Sequence, residues 1–512
     1  MECHDGFTAK WLNHSSVFKS VITQEAKPVA NKNFIYRSET DLEINSVEEW
    51  YSELEKTFDI EISQSNQLRS LCDAKQNLDA PIYSWFNLKE AFSSRFPVWV
   101  IQYLASNYNF VPKQVLDPFC GGGTTIVALS QQGIDVVGVE YNPFIASIAK
   151  TKASSRSYDA GEIRRALRSI AIGPPAGKRI DWPNLSTLKN QKYFRRGDIR
   201  TFLFALKRIE ESKHHNLTKQ FLRIGLAAAI DDVANLRKDG RALRYVKKQY
   251  RPFAKSALLN HCKQNLEDIK HLQDKQSIAR QGDTKIWAGS ALNLKELQDP
   301  WDTKVRGLLY DSAFDLILYS PPYLNNFDYS EIYKLELWLL GFIDDYQQWR
   351  KLRRSTIRSH HSVKFDNTCY LENDPATTLV YEKLRAMGES NSMKGYAKTN
   401  MPPVILGYFD DMYLALKEQY RVLKPGGYLV YLVANSRHSD LPVATDVILG
   451  EIGRLLGFEP LKLIVLHKRN GRTRQKRFLR ESIVILRKPE DSGSHKLAAT
   501  PHLTNACSGG RG

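Results

Sequence analysis

Two short runs in this chain combine residue types that could do chemistry on a bound ligand. The first is Asp117-Pro118-Phe119-Cys120-Gly121-Gly122-Gly123-Thr124-Thr125, between the apolar stretch QVLDPF and the helical pattern TTIVALSQQ. Glycines let the backbone turn tightly and approach a ligand closely, and the helix start behind them offers free N–H groups. A glycine-rich turn alone is common to many nucleotide-binding folds; the Asp-Pro-Phe before it and the Thr-Thr after it make this one more specific. No Gly-Lys-Ser/Thr follows, which disfavours a phosphate loop and with it ATP. Glu140 closes the next apolar stretch, IDVVGVE. There an acidic residue of a dinucleotide-type fold binds ribose hydroxyls, the plainer alternative being a solvated strand end.

The second run is Ser320-Pro321-Pro322-Tyr323, directly after the apolar stretch FDLILY. A Pro-Pro pair at a strand end is most often a rigid turn. Its position and its tyrosine suggest more. The exocyclic amine of a nucleobase is a poor nucleophile, because its lone pair is delocalised into the ring. Hydrogen bonds from its two N–H groups to a side-chain oxygen and a proline carbonyl would localise that pair towards an incoming methyl group. Proline's carbonyl is available and its fixed φ aims it. Tyr323 would stack on the base, a contact of roughly 1–3 kcal/mol, offsetting the few kcal/mol needed to flip a base out of a duplex. No strong base is needed before attack, since the amine loses a proton easily once methylation has made it cationic. A neutral Ser320 can therefore be the acceptor.

In this order on one sheet, the two motifs resemble those of the amino-methyltransferases of DNA. DPFCGGGTT is similar to their S-adenosylmethionine loop and SPPY to their catalytic tetrapeptide. WFNLKEAFSSRFP (85–97) resembles the segment that precedes the loop and packs around the methionine part of the cofactor. SPPYLNNFDYSEIYKLELWLLG, GYFDDMYLALKEQYRVLKPGGYLVYLVANS and RESIVILRK resemble further blocks, all between residues 81 and 488. The resemblance implies cofactor contacts from Asp117, Phe119, Cys120, Gly121, Gly123, Thr124, Glu140, Asn142 and Phe92, and places Ser320, Pro321, Pro322 and Tyr323 at the target base. Serine at the first tetrapeptide position resembles the cytosine-N4 enzymes; adenine-N6 enzymes usually show Asp or Asn there. The implied reaction is direct in-line methyl transfer to a flipped base, with no covalent enzyme intermediate. Cys120 is then in the loop for its small size, not as a nucleophile.

The same resemblance implies double-stranded DNA as substrate and a prokaryotic restriction–modification setting, in the cytoplasm and on the nucleoid while acting. No nuclease signature is evident, so a separate restriction endonuclease would do the cutting. Two rival readings differ. RNA guanine-N2 methyltransferases share the general motif order but usually begin the tetrapeptide with Asp or Asn and add an RNA-binding module. A catalytically silent nucleic-acid-binding subunit would be expected to have lost one motif, and both are intact.

The elements that must position these motifs are legible as alternation. QVLDPF, IDVVGVE, KIWAGSA, FDLILY and GGYLVYLVAN read as strands, with helices at TTIVALSQQ, YFDDMYLALKEQYRVLK and TDVILGEIGRLLGF, and a final strand pair at EPLKLIVLHK and RESIVILRK. The expected fold class is α/β, a doubly wound, mostly parallel, Rossmann-like sheet with a helical insertion. The chain divides into a helical extension over 1–80, a cofactor-binding part over 81–144 and a helical insertion over 145–283. A catalytic part follows over 284–343, then an irregular insertion over 344–401, a C-terminal part over 402–488 and a disordered tail over 489–512. Within the extension, the pattern from Val47 to about Leu71 predicts an amphipathic helix.

Composition agrees with a polyanionic partner. The 512 residues carry 73 Lys plus Arg against 56 Asp plus Glu, a net charge of +17, which favours binding through phosphate neutralisation. Arg350, Lys351, Arg353, Arg354 and Arg358 form one basic stretch. Lys468, Arg469, Arg472, Arg474, Lys476, Arg477 and Arg480 form a second, and Arg237, Lys238, Arg241, Arg244, Lys247 and Lys248 a third. The first two flank the motifs and are expected to grip phosphates. The six cysteines are scattered without a C-x-x-C pair, so neither a structural zinc site nor a disulfide framework is expected, and no metal constellation is visible. The start of the chain has no signal-peptide pattern, and no apolar run reaches the roughly 18–20 residues that span a bilayer.

Overall fold

The computed structural model describes residues 44–490 apart from 90, 171–180, 240–241, 275–280, 301–303, 366–367, 391–392 and 469–476. In chain order the strands are β1 (Asp59–Ile62), β2 (Gln114–Asp117), β3 (Asp135–Glu140), β4 (Leu236–Asp239), β5 (Ala242–Tyr245), β6 (Thr284–Ala288) and β7 (Leu297–Gln298). They continue with β8 (Arg306–Gly307), β9 (Phe314–Tyr319), β10 (Leu423–Ala434), β11 (Ser436–His438), β12 (Leu441–Val443), β13 (Glu459–Lys468) and β14 (Arg480–Arg487). Ten of them form one sheet in the order β1-β13-β14-β10-β9-β2-β3-β6-β7-β8. The central run β10-β9-β2-β3-β6 is parallel, and β14 enters antiparallel between β10 and β13. The expected doubly wound, mostly parallel α/β sheet is present.

The strands at its centre are mostly apolar because both faces are covered. Leu316, Ile317, Leu318 and Tyr319 are all fully buried, as are Leu429 to Val433. Helices Thr124–Ser130 and Pro143–Ala153 cross over between β2, β3 and β6. The second starts where it does because the Asn142 side chain accepts from the N–H groups of Phe144 and Ile145 and Pro143 fills the first helical position. Helix Pro402–Val422 leads into β10, and helix Thr445–Leu455 ends just before Gly457, whose φ of +104° turns the chain into β13.

Several boundaries differ from the sequence reading. The amphipathic helix spans Ile44–Glu55 and stops well short of Leu71. After it, Asp59–Ile62 is a strand, pairing in parallel with Lys462 to Val465, so the extension adds an edge to the sheet. A four-residue strand whose partner lies 400 residues away leaves no local signature.

Helix Pro143–Ala153, placed in the insertion, packs on β3 and β6 and belongs to the sheet. The insertion proper is a bundle of helices Ala160–Ile170, Arg196–Glu211, Asn216–Val233 and Ala254–Asp274 with the hairpin β4–β5 beside them. The stretch 344–401, expected to be irregular, contains helices Tyr346–Arg354, Thr378–Glu389 and Tyr396–Asn400. The polar first forty residues, and the tail from 491, lie outside the described residues. No helix among the described residues is long and apolar enough to cross a membrane.

Candidate active site

From β2 the chain steps to β3 and β6 on one side, whereas β9 and β10 lie on the other, so β2 and β9 flank the point where the winding reverses. Ligands of open α/β sheets bind outside the carboxyl ends of the strands at such a point. Here β2 ends in Asp117 and β9 runs directly into Ser320. The glycine loop and the tetrapeptide, two hundred residues apart, therefore line one open cleft. Phe92, Phe119, Cys120, Gly121, Thr124, Glu140, Asn142 and all four tetrapeptide residues are on its wall.

Asp117 and Gly123 shape the loop from behind. Asp117 is buried, and its Oδ1 accepts from Phe119 N at 3.0 Å. Gly123 has φ +85°, and a Cβ there would come within 3.1 Å of Ala149 Cα, so the loop needs glycine to sit against the helix behind it. Glu140 crosses from the next strand. Its two carboxylate oxygens accept from Gly121 N at 3.1 Å and Asn142 N at 2.7 Å. Burial pushes the carboxyls of both Asp117 and Glu140 up to about 7, against the backbone N–H bonds that favour their ionised forms. Burial also raises the Cys120 thiol well above its ordinary range, which makes it a packing residue without thiolate chemistry. Its Sγ would lie 2.8 Å from a Cβ at Gly138, so the two residues interlock.

At the other wall, Tyr323 Oη lies 3.0 Å from Glu481 Oε1 and 3.4 Å from Ser320 Oγ. Burial, followed by the Glu481 charge, keeps the Tyr323 phenol protonated. A carboxylate only accepts, so Tyr323 donates to Glu481 and its oxygen is left to accept from Ser320. The chain of bonds thus has one direction, and it turns the lone pairs of Ser320 towards other donors. Tyr323 keeps its ring on the cleft wall but is tethered by its hydroxyl, a contact with no local signature in the chain.

Further walls come from residues that the sequence did not single out. Lys152, buried in helix Pro143–Ala153, donates to the carbonyls of Tyr83 at 2.8 Å and Phe86 at 2.9 Å. It thereby ties down the segment that carries Leu88, whose side chain would be 3.2 Å from a Cβ on Gly121. Ser355, Thr356, Ile357, Ser359 and His360, from the stretch read as irregular, complete the rim. His360 Nδ1 is 2.6 Å from Ser362 Oγ, which in turn donates to Asp328 Oδ2 at 2.7 Å. The hydroxyl's single proton is therefore committed and Nδ1 carries the other, while Nε2 of the buried, neutral ring lies 3.4 Å from Thr356 Oγ1. Burial lowers the His360 pKa, consistent with that neutral form.

The basic stretches divide into two populations. Arg353 pairs with buried Asp328 at 2.7 Å, and Arg358 with Asp410 at 2.6 Å and Asp411 at 2.8 Å. Arg480 is buried between Asp446 at 2.6 Å and Glu55 at 2.5 Å, and Lys238 is buried against Glu336 and Asp231. These four are internal ties; for Arg353, Arg358 and Arg480 that corrects the expectation of phosphate contact made for their two clusters. Sequence spacing could not reveal them because every acidic partner of the three arginines is at least 25 residues away. Arg350, Arg354, Arg237, Arg244, Lys247 and Lys468 are exposed. Arg241, Arg469, Arg472, Arg474 and Lys476 lie outside the described residues.

One group of potential metal ligands, hidden in the sequence by its spacing, also stands out among the described residues. Donor atoms of Cys72, His467 and Glu481 lie within 4.8 Å of one another.

Comparison with known proteins finds similarity to DNA methylases. Residues 10–151 match the family model of N6/N4 methyltransferases described as DNA methylase. The chain is 27% identical over 481 residues to the type II methyltransferase M.AvaI of Nostoc sp., covering 88% of this chain and 96% of that one. It is 25% identical over 473 residues to the type II methyltransferase M.BsoBI of Geobacillus stearothermophilus, covering 82% and 88%. The type II methyltransferase M.MvaI of Kocuria varians is 22% identical over 393 residues, covering 70% and 79%.

Proposed function

We propose, from this kinship with the N6/N4 DNA methylases, that the chain is the modification enzyme of a type II restriction–modification system. In this reading it transfers a methyl group from S-adenosylmethionine to the exocyclic N4 amine of cytosine in double-stranded DNA. The observation that carries the proposal is the meeting of the Asp117–Thr124 loop and the Ser320–Tyr323 tetrapeptide in one cleft at the reversal of the sheet.

The residues present suit the cofactor. Glu140 offers a carboxylate at the end of β3, the place for ribose hydroxyls. The Asn142 side-chain nitrogen is buried beside it without a hydrogen-bond partner, and Leu88, Phe92 and Phe119 supply apolar walls. When bound, the cofactor supplies an electrophilic methyl group on a sulfonium. The protein's part is to bring a flipped base to it. Ser320 Oγ and a tetrapeptide carbonyl accept the two amine N–H bonds, and the Ser320–Tyr323–Glu481 chain holds the serine as acceptor. The ring of Tyr323 limits the base on one side, and the 355–360 wall encloses it. Proximity and orientation, without an enzyme nucleophile, account for the rate.

Serine at position 320 supports cytosine-N4 over adenine-N6. Expression in a host free of DNA methylation, followed by nucleoside mass spectrometry and modification-sensitive sequencing of its genome, tests both levels. N4-methylcytosine at one recurrent motif is the expected result. N6-methyladenine would overturn the serine argument alone, and an unmodified genome with cofactor-binding protein would overturn DNA methylation by this chain.

A further inference from the structure

Behind the tetrapeptide, three elements distant in sequence bring a thiol, an imidazole and a carboxylate together. His467 and Glu481 face each other across the antiparallel pair β13–β14, next to a register irregularity between Val465 and His467. His467 Nε2 lies 3.8 Å from Glu481 Oε2. Cys72 ends a short 3-10 turn (Ser70–Cys72) that is anchored where Ser93 N donates to Leu71 O at 3.0 Å. All three donor atoms fall within 4.8 Å of one another, with Glu481 buried and the other two partly exposed.

We propose that Cys72, His467 and Glu481 form a zinc site that fixes the catalytic wall from behind. Zinc bonds of roughly 2.3 Å to sulfur and 2.0–2.2 Å to nitrogen and oxygen put tetrahedral ligands about 3.3–3.7 Å apart. The His467–Glu481 separation of 3.8 Å is close to that spacing, and the Cys72 thiol lies within 4.8 Å of both donor atoms. A thiolate, a neutral imidazole and a carboxylate favour Zn²⁺ over Mg²⁺ or Ca²⁺, which take oxygen ligands. Three protein ligands leave one tetrahedral position for water. Binding releases the Cys72 proton to solvent and forms one metal–sulfur bond. Glu481 is the link to the reaction. With Oε2 on the metal, Oε1 is left to accept from Tyr323 at 3.0 Å. The carboxylate is then held on both sides, as supporting residues of metal sites commonly are. The site rests on its own geometry; only its effect on turnover rests on the methyltransferase reading.

The test uses the full chain, freed of any histidine tag and stripped with a chelator. Zinc is added, excess is removed by gel filtration, and metal is counted by mass spectrometry. Cobalt(II) is titrated in parallel and followed by absorption. The expected result is one retained zinc per chain and a cobalt–thiolate charge-transfer band. Cys72→Ser and His467→Gln should each lose both, whereas Cys369→Ser keeps both. Circular dichroism checks the fold, and His467→Gln answers the question if Cys72→Ser does not fold. A wild-type chain that retains no more zinc than these variants, or shows no thiolate band, overturns the site. Zinc bound by a chain that methylates nothing would keep the site and sink the functional reading instead.

Discussion

Tyr323 and Glu481 are 158 residues apart in the chain, yet the phenol of one donates to the carboxylate of the other at 3.0 Å. This bond fixes which way the proton of Ser320 points, and with it the acceptor role proposed for the serine. An amide at 481 has donors as well as an acceptor, so Glu481→Gln lets the chain of bonds reverse. Turnover should fall about tenfold, the worth of one oriented hydrogen bond at roughly 1.4 kcal/mol. Tyr323→Phe should fall by a similar factor, and Tyr323→Ala further, since the ring is lost as well. Cofactor affinity, measured by calorimetry, should stay near wild type in all three. A parallel loss of cofactor binding would contradict the assignment of Tyr323 to the base.

If Glu140 holds the cofactor as proposed, binding should depend on pH. Its carboxyl, held up to about 7 by burial, is protonated at pH 6 and ionised at pH 8. If only the ionised form accepts ribose hydroxyls, the dissociation constant should be about tenfold higher at pH 6 than at pH 8. Glu140→Gln should bind weakly at both and flatten the profile. Stability moves the other way. Asp117 and Glu140, ionised near 4 when unfolded and near 7 when folded, make the folded chain bind more protons across that window. Their contribution is therefore full below about pH 4 and lost as pH rises through about 7. Thermal melts of the ligand-free chain should show Asp117→Asn losing less stability than wild type between pH 5 and pH 8.

The arginines separate by what they face. Arg480→Ala leaves Asp446 and Glu55 without their shared partner, and breaking such a buried pair costs about 3–5 kcal/mol. A large drop in melting temperature is expected, and DNA affinity measured on the residual folded protein is uninformative for phosphate contact. Arg350→Ala and Arg354→Ala, on the exposed face of helix Tyr346–Arg354, should leave the melt unchanged. Each that touches a phosphate should lower the slope of log affinity against log salt by about 0.9. An unchanged slope in the double variant would remove this helix from the DNA interface.

Legibility followed how local the determining signal was. The strand ends at Asp117 and Ser320 could be read because each is a run of apolar residues followed by turn chemistry within a few positions. Their meeting followed from sheet order, which the alternation of elements implied. In the segment 344–401 the helix Tyr346–Arg354 was opaque because it is polar and buries only Leu352. Its start is nevertheless marked by Asp345, whose carboxylate caps Gln347 and Gln348. Helix Thr378–Glu389, by contrast, buries Val380, Leu384 and Met387 at helical spacing, a signal the sequence did carry. Glu481 and Cys72 had no signal at all, since one sits in an apolar strand and the other in a three-residue turn. Charge runs misled for a physical reason: Arg353, Arg358 and Arg480 look like surface residues until their distant carboxylates fold over them.

Gly123 gives the sharpest test of the loop. Its φ of +85° suits glycine, and a Cβ would meet the backbone of Ala149 at 3.1 Å. A left-handed conformation costs an ordinary residue roughly 1–2 kcal/mol, and the helix behind it gives little room. Gly123→Val should therefore push the loop outward and break the bond from Gly123 N to Cys120 O, now 2.8 Å. That displaces Gly121 from Glu140, so cofactor affinity should fall at least tenfold with the far-ultraviolet circular dichroism unchanged. Gly122→Ala differs, because a Cβ there would stand 3.6 Å from Leu88, an ordinary contact. It should keep affinity within about threefold of wild type, the scale set by ordinary small side-chain contacts. Equal losses in the two variants would mean that the loop tolerates no bulk anywhere, and that the left-handed turn at 123 is not what shapes it.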